Sequence, residues 1–194
     1  MENRLLIIGD ELLGPQGEAA ARCVEMLLCR KPNRPMQFSV NAPLLTSIPQ
    51  LLARASSDII GKQAGRIVFA LGLSEMKRER CDVAKVAANY EALVDEILKK
   101  TQSFVHFVTI PKELLPEVSD RVAELNEAIR GFASKSPERF SVMDFEAHAE
   151  KFREMQAERG KFARSLYSED AKPTSLCLTL LSLFLQDCIL ETMK

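Results

Sequence analysis

The residues of this chain that could carry out chemistry are few, and the most suggestive of them are acidic. An apolar run, "RLLIIG", opens directly onto Asp10 and Glu11. A carboxylate placed there can attack a glycosidic or phosphoryl centre. Toward an ordinary ester it would give a mixed anhydride without the activation that a serine-histidine pair supplies. Asp10, directly after the run, is placed to tie down turn amides. "GDELLGPQG" lacks the Lys-Ser/Thr ending of a phosphate loop. Of the two histidines, His106 lies inside an apolar run and His148 starts a polar helical stretch, and neither has a partner in sequence. Both read as structural or surface groups. Ser47, Ser168 and Ser175 stand where serine caps a helix or closes a turn.

The five cysteines, Cys23, Cys29, Cys81, Cys177 and Cys188, are odd in number, lie within apolar segments and include no Cys-x-x-Cys pair. That pattern argues for reduced thiols in an intracellular compartment rather than a disulfide framework or a zinc site. No metal and no cofactor is expected.

Such groups work only where a scaffold holds them. "RLLIIG", "PMQFSV", "RIVFAL", "SFVHFVTI" and "RFSVMDF" have the length and the apolar, β-branched or aromatic content of strands. Between them run helical patterns. "GEAAARCVEMLLCR" is one; "TSIPQLLARASSDIIGK" follows the capping residues Thr46 and Ser47, with Pro49 in its first turn. "CDVAKVAANYEALVDEILKKT" sets Val83, Val86, Ala87, Tyr90, Leu93, Val94, Ile97 and Leu98 on one broad face. "SDRVAELNEAIRGFA" and "TSLCLTLLSLFLQDCILETM" complete the set, with "FEAHAEKFREMQAERGKFARSLY" as a polar excursion before the last. Alternation of this kind predicts parallel strands joined by right-handed crossovers: an α/β protein, a three-layer α/β/α sandwich around a five-stranded parallel sheet. Ligands in such sheets sit beyond the carboxyl ends of the strands. The strand exits to inspect are "GDELLG", "NAPLLTS", "GLSEM", "PKEL" and "EAHAE".

With 194 residues, 46% of them apolar, and no repeat or linker, residues 1–194 are expected to form one domain. Lys plus Arg is 26 and Asp plus Glu is 27, so the net charge of −1 exerts no global pull toward nucleic acid or an anionic membrane. The amino terminus becomes charged again too soon for a signal peptide, and the charge-free run from Pro173 to Gln186 is shorter than a membrane span needs. A soluble, cytoplasmic protein is expected.

The strand exits carry a resemblance. "LLIIGDELLG" resembles the first block of the SGNH or GDSL hydrolases, a strand followed by Gly-Asp-Ser; "IVFALGLSEM" resembles their third, a strand followed by Gly-x-Asn-Asp; "YSEDAKPTS" resembles their last, Asp-x-x-His-Pro. The resemblance implies the doubly wound, flavodoxin-like topology of that family. It also implies that the catalytic positions have been replaced. The serine nucleophile falls on Glu11, the oxyanion-hole asparagine on Ser74 after Gly72, the histidine base on Lys172 and its orienting aspartate on Glu169. "NAPLLTS", where the second-block glycine belongs, has no glycine.

Asp10 and Gly72 remain as candidates for binding. Lysine at neutral pH is a proton donor, and losing the parts of a cooperative triad typically removes roughly 10⁶ in rate. The expectation is a non-catalytic member of that fold acting as a binding or scaffold module, most simply for a protein partner, with an atypical esterase or acylhydrolase as the alternative. An RNA-binding domain is a second alternative. It would use local basic clusters: Arg30, Lys31 and Arg34; Lys77, Arg78 and Arg80; Lys151, Arg153, Arg159, Lys161 and Arg164. If the family geometry holds, Glu11 and Lys172 should meet in an ion pair, with Glu169 as second acceptor.

Overall fold

Each of the five runs forms a strand in the computed structural model, which describes residues 4–14, 18–29, 37–41, 47–134, 137–160, 164–170 and 172–193. The strands are β1 (Arg4–Gly9), β2 (Gln37–Asn41), β3 (Arg66–Ala70), β4 (Phe104–Val108) and β5 (Phe140–Met143), all paired in parallel in the order β2-β1-β3-β4-β5. β1 lies between two strands with both faces covered, so Leu5 through Ile8 are all buried and the run is continuously apolar rather than alternating.

The helices are α1 (Ala19–Cys29), α2 (Ile48–Ala53), α3 (Ala55–Asp58), α4 (Leu73–Met76), α5 (Val83–Lys100), α6 (Ser119–Ala133), α7 (Phe145–Ala157) and α8 (Ser175–Glu191). Strand order reverses at β1, and right-handed crossovers therefore divide the helices between the two faces. α1 packs on α8, which also meets α7; on the opposite face α5 packs against α6 and α2. Beneath α5, Phe69 and Phe107 stack at 4.9 Å and Tyr90 meets Phe107 edge-on at 4.9 Å. Among the described residues no helix is long and apolar enough to cross a membrane.

Capping follows local sequence. Ser47 and Gln50 form a reciprocal capping box at α2, with Pro49 in the first turn. Asp82, Asp144 and Thr174 cap α5, α7 and α8 through their side chains. The helical pattern across 46–62 departs from one continuous helix. Arg54 leaves helical geometry at φ −107° and ψ 13°, dividing α2 from α3, and a short 3-10 turn over Ile60–Lys62 closes the segment. Among the described residues of the polar excursion, the α-helix ends at Ala157.

Candidate functional site

The sheet's reversal point directs attention to the carboxyl ends of β1 and β3. β1 ends at Gly9, and the following 3-10 turn (Glu11–Leu13) folds so tightly back on the strand end that a Cβ there would lie 2.0 Å from Leu13 Cδ1. Asp10, between strand and turn, is 6% exposed. Its Oδ1 accepts from the Leu12 amide at 3.0 Å, and its Oδ2 accepts from the amides of Gly72 and Ser74, each at 3.0 Å. One carboxylate thus ties the exit of β1 to that of β3. Burial pushes the Asp10 pKa above the usual carboxylate value, against the opposing pull of the three amides.

Gly72 makes the close approach possible. Its φ is +118°, where side chains are strained, and a Cβ would lie 2.9 Å from Ile110 Cδ1 and 3.1 Å from the Tyr90 hydroxyl. Glu75, three residues on, is buried; its Oε1 accepts from the Ile48 amide at 2.9 Å and its Oε2 pairs with Arg78 Nη1 at 2.9 Å. It holds the start of α2 against the exit of β3. Underneath, the fully buried Tyr90 hydroxyl has no hydrogen-bond partner among the described residues. Burial, with Asp10 and Glu75 nearby, pushes its pKa well above the usual tyrosine value. A buried hydroxyl without a partner is a net cost, so Tyr90→Phe should raise unfolding stability by about 1 kcal/mol. A lower stability in urea titration would show that the hydroxyl is hydrogen-bonded in solution.

Glu11 and Lys172 do not form the expected ion pair. Glu11 Oε2 bonds to Lys77 Nζ, the two side chains being 42% and 31% exposed. Lys172 lies on a hairpin whose Tyr167 and Pro173 form an antiparallel bridge, with the Ser168 amide donating to the Lys172 carbonyl at 2.9 Å. Its Nζ is 3.9 Å from Asp170 Oδ2 with both side chains well exposed, and Glu169 is exposed beside them. The fold does bring the first and last blocks near each other, since a Cβ on Gly14 would meet Leu178 of α8 at 2.8 Å. What parts the charges is aim: the hairpin turns Lys172 outward, while α4 delivers Lys77 onto Glu11.

Of the sequence candidates, then, the structure gathers Asp10, Glu11, Gly72 and Ser74, and sets Glu169 and Lys172 apart. Ser47 and Ser168 are occupied in cap and turn, and Ser175 opens α8. His106 is buried on β4 with Nδ1 2.7 Å from Ser141 Oγ, and His148 stacks with Phe145 and lies tilted against Phe184. Sequence reasoning treated Lys77 only as part of a basic cluster and passed over Glu75 and Tyr90. Glu75 stands where the third block ends in an acid, which was a usable signal; Tyr90 gave none beyond its apolar helix face. Most of "NAPLLTS", together with Arg30, Lys31, Arg34 and Lys161, lies outside the described residues. Of the remaining basic residues, Lys77, Arg78 and Arg153 are each bound to a glutamate.

Comparison with known proteins supports the fold alone. No family model matches the chain, and no curated protein matches it either. Among solved structures, the acetyl xylan esterase AlAXEase superposes with TM-score 0.77 at 13% identity, covering 96% of this chain and 99% of its own. A lipase/acylhydrolase from Enterococcus faecalis gives 0.76 at 14% identity, covering 97% and 95%. Axe2, an acetylxylan esterase from Geobacillus stearothermophilus, gives 0.75 at 14%, covering 95% and 93%. The five-stranded parallel sheet and its flanking helices match the SGNH hydrolase fold of these esterases over nearly the whole chain.

Proposed function

We propose that this SGNH-type fold serves as a binding module and does not hydrolyse esters near neutral pH. The observation that supports the reading is the Glu11–Lys77 ion pair at the place where the resemblance puts a serine nucleophile. A carboxylate bound to an ammonium is a poor nucleophile toward an ester. The residue in the base position, Lys172, is engaged on an exposed hairpin and carries no imidazole. The partner suggested is a protein, docking at the carboxyl edge of β1 and β3. An RNA partner is less favoured, because Lys77, Arg78 and Arg153 are each neutralised by a glutamate. The esterase reading rests on the fold shared with acetylxylan esterases and acylhydrolases.

One screen separates the two readings. Purified protein offered short-chain aryl and acyl esters at about pH 7 should show no turnover above buffer, consistent with the roughly 10⁶ that triad loss removes. Turnover that survives re-purification would establish the esterase reading in its place.

A further inference from the structure

We infer that the cavity at the amino ends of β1 and β2 is a binding site for a small phosphomonoester, with Arg4 and Lys62 as the groups that hold the anion. It lies at the opposite end of the sheet from the strand exits and does not depend on what happens there. Arg4 and Leu6 of β1 pair in register with Gln37 and Ser39 of β2. Residues two apart on a strand share a face, so these four side chains stand together. β2 is an edge strand, and the crossover that leads from it to β3 consists of two short helices and the 3-10 turn Ile60–Lys62. Between that turn and the sheet lies a cavity of about 580 Å³, with Gln37, Ser39 and Lys62 exposed along it. Small-ligand sites occupy about 300–1,000 Å³.

Every polar side chain on the lining can donate. Arg4 Nε donates to Gln37 Oε1 at 2.9 Å. Arginine only donates, so the Gln37 oxygen must face it and the amide NH₂ is left over. The same bond steers the guanidinium, whose two Nη groups have no partner among the described residues. Lys62 and the Ser39 hydroxyl complete the set. No lining residue carries a carboxylate, and among the described residues neither Arg4 nor Lys62 forms an ion pair. Such a set fits an acceptor-rich dianion. A phosphomonoester brings a charge of about −1.5 to −2 at pH 7 and three strong acceptor oxygens, and a guanidinium meets phosphate through two parallel N–H bonds. A carboxylate, with one charge and two oxygens, leaves one of the two cations unmatched.

The organic part follows from size and lining. A water takes up about 30 Å³ of liquid, so a five-atom phosphate group leaves most of the 580 Å³ for what it is attached to. The half-buried Phe38 and Ala64 supply an apolar wall there. The sheet as a whole is polarised in the same sense. Arg66 and Arg139 stand at the amino ends of β3 and β5, whereas Asp10, Glu11, Glu75 and Asp144 stand at the carboxyl ends. A net charge of −1 conceals this separation, which draws anions to the amino edge.

The test is isothermal titration calorimetry of the full chain with phenyl phosphate at about pH 7.5, above the second phosphate pKa of about 6. One site with a Kd of about 1 mM or tighter is expected, with inorganic phosphate about tenfold weaker. Lys62→Met should weaken phenyl phosphate about tenfold, as the loss of one charge-assisted contact requires. The Lys62 side chain makes no bond among the described residues, so this variant leaves the fold intact. Arg4→Met should weaken binding at least as much. Arg22→Met, which removes the same charge from α1, should leave the Kd unchanged. Absence of saturable binding would overturn the inference, as would full affinity in Lys62→Met. Equal losses in Arg22→Met and Lys62→Met would also overturn it, showing diffuse attraction only. Inorganic phosphate binding as tightly as phenyl phosphate would overturn the phosphomonoester class. Binding of a single-stranded RNA that Arg4→Met abolishes, without binding of phenyl phosphate, would overturn the inference in favour of a nucleic-acid surface.

Discussion

Asp10→Ala should lower the unfolding free energy by on the order of 4 kcal/mol, the largest effect of any single change at the candidate site. Three amides, those of Leu12, Gly72 and Ser74, lose their common acceptor at once. Stranding a buried donor costs about 1–3 kcal/mol each, and the Ser74 amide, only partly buried, falls at the low end. The adjacent carboxylate should behave quite differently. Glu11→Ala removes a pair whose members are 42% and 31% exposed, and such pairs contribute about 0–1 kcal/mol. Urea titrations of the two variants side by side measure the contrast. A cost below about 1 kcal/mol for Asp10→Ala would mean that water replaces the carboxylate freely and that the two strand exits are held together by something else.

Acidification should destabilise the protein through His106. The ring is 2% exposed, bonded to Ser141 Oγ through Nδ1, and its Nε2 has no partner among the described residues. Burial, with Arg66 adding, pushes its pKa down to about 4. In the unfolded chain a histidine takes up a proton near pH 6.5, whereas in the fold this one stays neutral until about pH 4. The unfolded state therefore binds more protons throughout that interval, and stability falls as pH falls through it. The contribution is complete above about pH 6.5 and lost by about pH 4, and it amounts to about 3 kcal/mol. His106→Leu removes the titration at the cost of the Ser141 hydrogen bond. Its stability should be lower at neutral pH and fall less steeply on acidification than the wild type's. Parallel pH profiles for the two proteins would show that His106 is not the group responsible.

Much of this architecture was legible before any coordinates. All five strands appear where apolar, β-branched and aromatic runs placed them, and of the face read for α5, Val83, Val86, Tyr90, Leu93, Val94 and Ile97 are buried while Ala87 and Leu98 are only partly so. Ser47 caps α2 as a serine before Pro49 should. The break at Arg54 was invisible, because "LLARASSD" reads as uninterrupted helix, whereas in the fold α2 and α3 each pack separately on α5. At the site, the strand exits identified Asp10, Glu11, Gly72 and Ser74 through the block resemblance. The same resemblance misdirected the ion pair.

What the sequence determined by itself is therefore the set of elements, their parallel order of connection and the strand ends at which chemistry must be sought. These depend on side-chain period, cap residues and steric limits that act within a few positions along the chain. Which charges meet was decided only by the tertiary structure. Glu11 joins Lys77, 66 positions away, and not Lys172. The exposed hairpin closed by the Tyr167–Pro173 bridge turns one amine toward Asp170, while the rigid turn from Gly72 through α4 carries the other to the strand exit. An ion pair requires its two charged atoms within about 4 Å. Sequence spacing says nothing about a distance that the orientation of two separate backbone segments sets.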